Sequence, residues 1–75
     1  MIVEVSKSVM SRRLDEAKHG QWLMYHVGFL MDDRTKNRNL HSIAKMLMTA
    51  SEEKRAALVQ RRLGFRMYEY YVVKV

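Results

Sequence analysis

The sequence predicts an α+β fold in which helices pack on a short sheet that ends in a C-terminal β-hairpin. Leu40, Ile43, Ala44 and Leu47 recur at the i, i+3, i+4, i+7 spacing of one buried helix face. Tyr68, Tyr70, Tyr71, Val72 and Val73 crowd the C-terminal segment with good strand formers, and so long a strand needs a hydrogen-bonded neighbour. The chain has 75 residues, 48% of them hydrophobic, so residues 1–75 are read as one domain with one small core.

The first element is expected over Ser6–His19. Val9, Met10, Leu14 and Ala17 fall near helical spacing, Ser6 is a candidate N-cap with Val5 ahead of it, and Gly20 is a natural stop. Lys18 and His19 stand where cations suit a helix C-terminus. Trp22, Tyr25 and Val27 then predict a short strand over residues 21–27. Residues 29–36 turn polar through Asp32, Asp33, Arg34, Thr35 and Lys36, and read equally as a loop or a single helical turn.

Asn37 or Asn39 can cap a second helix over residues 38–54. Beyond it two readings compete. Thr49-Ala50-Ser51-Glu52 matches a capping box, and Ala56, Val59 and Leu63 would extend a helical stripe to Gly64. The alternative makes residues 57–62 a strand, turning through Leu63-Gly64-Phe65 into a strand over residues 66–74. The C-terminal strand's need for a partner favours this hairpin over residues 57–74. Alternation then places Tyr68, Tyr70 and Val72 on one face and Met67, Glu69, Tyr71 and Val73 on the other. Helix, strand, helix and hairpin, in that order, are the parts of a winged helix-turn-helix domain.

Composition narrows the function classes. With no cysteine, neither a disulfide framework nor a thiolate metal site is available, and a reducing, cytoplasmic location fits best. No run approaches a membrane span and the N-terminus carries no apolar signal core, so no membrane role is expected. The histidines 19, 26 and 41 lack the spacing of a zinc pair. The acidic pairs Asp15-Glu16, Asp32-Asp33 and Glu52-Glu53 are sequence neighbours whose side chains diverge, and are read as solvated surface. No Gly-x-Gly loop, Gly-Lys-Ser/Thr run or nucleophile elbow is present. The expectation is a protein that is not an enzyme and uses no metal or cofactor.

The net charge is +6, from fourteen lysines and arginines against eight acidic residues. Residues 1–37 hold six basic and five acidic side chains, whereas residues 38–75 hold eight and three, so the C-terminal half carries +5. Such a field favours duplex DNA or an acidic protein surface as partner. Arg38 and Lys45 on the second helix, Lys54 and Arg55 entering the hairpin, and Arg61, Arg62 and Arg66 about its turn are the candidate nucleic-acid contacts. Tyr68, Tyr70 and Tyr71 could stack on bases, but the favoured reading is that two pack the sheet and one is exposed. His26 could anchor a hydrogen bond to a neighbouring element or respond to pH, but a structural role is the favoured reading, and an exposed edge on a small sheet leaves a homodimer open.

The run Tyr25-His26-Val27-Gly28-Phe29-Leu30, then Asp33-Arg34, Leu58-Val59-Gln60-Arg61-Arg62, Tyr68 and Tyr70, resembles a group of short phage-encoded proteins with winged-helix-type folds. The pattern covers roughly residues 20–75. It implies a phage protein and supports the hairpin, but implies no particular activity. Docking on an acidic surface of a host enzyme is therefore the alternative to DNA binding. The sequence departs from that pattern in lacking a glycine near Lys54, at the step from helix to strand.

Overall fold

A computed structural model describes residues 6–75; Val5, the expected entry signal, lies outside them. Six elements follow in order: α1 (Lys7–Glu16), β1 (Trp22–Gly28), α2 (Leu30–Lys36), α3 (Arg38–Glu52), β2 (Ala56–Gly64) and β3 (Met67–Lys74). The three strands form an antiparallel sheet in the order β1-β3-β2, so the tyrosine-rich C-terminal strand is central and bonds to both neighbours. Three helices on a three-stranded sheet with a terminal hairpin are the expected α+β winged helix-turn-helix arrangement, with α2 and α3 joined through Asn37 alone.

Helices α1 and α3 each begin where a capping side chain satisfies an orphan amide. The Ser6 hydroxyl accepts from the Val9 N–H, and Asn37, rather than Asn39, accepts from Leu40. The first helix ends at Glu16, short of His19, and Gly20 with φ 84° turns the chain into β1. Lys18 and His19 therefore sit past the last helical turn. Arg13 stands in the last turn, and Lys74 of β3 brings a second cation there, its Nζ donating to the Leu14 carbonyl at 3.0 Å. Residues 30–36 resolve as the short helix α2.

The contest between helix and hairpin ends at Glu52. Thr49, the would-be cap of a further helix, lies inside α3 and its hydroxyl donates back to the Lys45 carbonyl. The chain then leaves α3 by two reverse bonds, Lys54 N–H to Ser51 O at 3.0 Å and Arg55 N–H to Ala50 O at 2.9 Å. This is a Schellman ending, which puts its C′ residue in the left-handed region and favours glycine there. Lys54 occupies that position with φ 62°. A side chain held there costs about 1 kcal/mol, so Lys54→Gly is expected to raise the melting temperature by a few degrees. Lys54→Ala, which keeps the Cβ, should give no such gain in the same thermal melt.

The core lies between the helices and one face of the sheet. Met10 and Leu14 of α1 and Ile43, Leu47 and Ala50 of α3 meet Tyr25, Ala56, Tyr70 and Val72. Leu23, Leu30, Met46 and Tyr68 are partly buried against this cluster. Of the three C-terminal tyrosines, Tyr70 is buried and Tyr68 half-buried on the core side, while Tyr71 is half-buried on the outer face against Trp22. None of the three is fully exposed.

Candidate nucleic-acid interface

The corner between β1 and α2 decides how α3 is presented. A β-bulge between Met24 and His26 puts an extra residue on β1, and both Tyr25 and His26 come to lie against Tyr70. From there the His26 Nε2–H donates to Asp33 Oδ2 at 2.7 Å, and the same oxygen accepts the Phe29 amide at 3.0 Å. Gly28 has φ 140°, and a Cβ there would run into Asp33 Oδ2. The Tyr70 hydroxyl accepts the Leu30 N–H at 3.0 Å, fixing the start of α2 to the central strand. His26 thus anchors a hydrogen bond to a neighbouring element, the alternative set beside the favoured structural role.

The hydrogen bond from His26, helped by that from Phe29, holds the Asp33 carboxyl below the usual range. A carboxyl lowered on folding adds stability that is present above the unfolded value and is lost as pH falls through the folded one. Thermal melts from about pH 6 down to pH 2, spanning the usual carboxyl range, should therefore show wild type losing its advantage over Asp33→Asn. Burial first, then the neighbouring Tyr70, pushes the Tyr25 phenol up to about 12 against an opposing effect of Arg34.

The buried stripe of α3 turns its opposite face to solvent, carrying Arg38, His41, Ser42, Lys45 and Thr49. Residues 38–51 contain no acidic side chain. His41 and Lys45 stand one turn apart and, with Lys7 of α1, line a groove of about 470 Å³. Arg34 of α2 donates from Nε to His41 Nδ1 at 3.2 Å. It also lines a second groove, of about 350 Å³, with Phe29, Gln60, Tyr68 and Tyr70. Arg66 stands beside that groove, its guanidinium 5.6 Å from the centre of the Phe29 ring and 5.5 Å from that of Phe65. A basic strip thus runs from α3 across α2 to the tip of the hairpin.

Comparison of the chain with models of known protein families, with curated proteins and with solved structures returned no match. The functional reading therefore rests on this geometry.

The structure spreads the seven basic residues singled out in the sequence over three places. Arg38 and Lys45 share the solvent face of α3. Lys54 and Arg55 lie beyond its C-terminus, at the opposite end of β2 from the turn, and Arg55 closes on Glu53 Oε1 at 2.7 Å. A nine-residue strand separates them from the tip, a span of about 30 Å. At the hairpin, Arg61 pairs with Glu69 at 3.2 Å on the outer face, whereas Arg62 lies across from Tyr68 on the core face. The positive backbone angle of the turn falls on Arg66, φ 53°, and not on Gly64. Lys7, Arg34 and His41 join the strip although charge patterning did not mark them. Arg34 entered only in a polar run and a sequence pattern, and His41 could have been found from its one-turn spacing to Lys45.

Among the described residues no three His, Cys, Asp or Glu side chains converge as a metal-holding group. Among the described residues no helix is long and apolar enough to cross a membrane.

Proposed function

We propose that this domain binds duplex DNA, with α3 in the major groove and the hairpin tip on the flanking backbone. One observation carries the reading: the solvent face of α3 presents Arg38, His41, Ser42 and Lys45 with no acidic residue among positions 38–51. An α-helix fits the width of the major groove, where such side chains reach phosphates at the edges and donors and acceptors on the bases. Arg34 and then Arg66 extend the cationic strip from α3 toward the hairpin, and Phe65, 83% exposed at the turn, gives the tip an apolar end. Arg61 pairs with Glu69, and Lys54 and Arg55 stand at the far end of β2 from the hairpin tip.

Titration of random duplex DNA at about 50 and about 200 mM salt tests the reading, because binding carried by phosphates weakens steeply over that range through counterion release. Micromolar binding with a steep salt slope is the expected result. Absence of binding at the lower salt would overturn it and leave the same basic strip for an acidic protein surface.

A further inference from the structure

None of the described helices packs on the outer face of the sheet. Helices pack against the face that carries Tyr70 and Val72, and alternation sends Val73, Tyr71 and Glu69 of the central strand the other way. Register places Trp22 and Ala57 beside Val73, Met24 and Val59 beside Tyr71, and Val27 and Arg61 beside Glu69. Trp22 is 55% exposed and Met24 43%, and Trp22 meets Tyr71 edge to face with ring centres 5.3 Å apart. This is a contiguous apolar surface outside the core.

We infer that this face is where two copies of the chain associate, sheet against sheet. The argument for a second copy is electrostatic and geometric. The chain carries +6 overall, yet the only charges in these three rows are Arg61 and Glu69, already paired with each other. A polyanion or an acidic protein would gain nothing there. An identical face meets it without like-charge repulsion and with the same twist, the condition for aligned sheet packing. Three strands about 4.8 Å apart and seven residues of about 3.3 Å rise give a footprint of roughly 330 Å² per copy. The two copies together bury roughly 660 Å², below the about 1,000 Å² that a stable interface clears, so the complex is weak and concentration-dependent. The inference is independent of the nucleic-acid reading. Where both hold, the two α3 helices are separated by both sheets, so the pair engages two duplexes and not adjacent half-sites of one.

Trp22 is the chain's single tryptophan and reports the contact directly. Sedimentation velocity from about 2 to about 400 µM, spanning the affinities of weak complexes, should show the apparent mass doubling while Trp22 emission shifts to the blue. Met24→Lys, and separately Val59→Lys, should abolish both changes while circular dichroism at low concentration keeps the wild-type fold. A monomer throughout the range would overturn the inference, as would association that both lysine variants leave intact. Trp22 emission already blue-shifted in a monomer would also overturn it, since the face would then be covered within one chain.

Discussion

Leu47→Ala is expected to lower stability by about 3 kcal/mol, the centre of the range for truncating a fully buried leucine. Leu47 has no exposed surface and stands in the core cluster where α3 meets α1 and the sheet. A domain of this size has a total stability of about 4–11 kcal/mol, and each kcal/mol moves the midpoint by about 4–8 °C. Thermal unfolding should therefore shift down by roughly 12–24 °C on those figures. Met48→Ala is the matched comparison. Met48 is the next residue in the same helix but faces solvent, so its truncation should change stability by less than about 0.5 kcal/mol. Equal losses at the two positions would contradict the observed orientation of α3.

Replacing Arg38 and Lys45 together by alanine is expected to weaken DNA binding about 100-fold, at about 1.5 kcal/mol for each charge-assisted contact. Removing two phosphate contacts should also flatten the dependence of log K on log salt by about two. Both side chains are exposed on the face of α3 opposite Leu40, Ile43 and Leu47, so stability should hardly change. The companion variant, Lys54→Ala with Arg55→Ala, removes the same formal charge from the other end of the hairpin. Its effect should stay within about threefold, since screening confines distant charges. Similar losses from the two pairs would mean that bulk charge, and not the α3 surface, drives binding.

Periodicity and propensity sufficed where an element's own residues decide its state. The α3 stripe, the Ser6 cap, the β1 segment and the strand-forming tyrosines are local signals, and each stands in the fold where its pattern puts it. Local signals failed where two of them conflicted. Thr49-Ala50-Ser51-Glu52 is a sound capping box by sequence, and only the pairing of β2 along β3 makes the helix stop at Glu52. A strand's hydrogen bonds are satisfied by another strand, so no window of β2 alone contains the reason for its conformation. The left-handed angle at Lys54 is equally invisible, because a residue other than glycine accepts it only when the surrounding structure demands it.

The candidate site divides along the same line. Arg38 and Lys45 could be read as one surface because seven residues make about two helical turns. Arg61 and Arg62 look like one cluster in the sequence, yet strand alternation sends them to opposite faces of the sheet, where Glu69 neutralises the first. His26 and Asp33 find each other through a bulge, and Lys74 closes α1 from the end of β3. What the sequence by itself determined was the helical or strand state of α1, β1, α3 and β3, which stripe of α3 is buried, and the excess of positive charge in residues 38–75. Which basic side chains share a surface, and which face of the sheet stays open, only the tertiary structure decided, because both depend on partners distant in the chain.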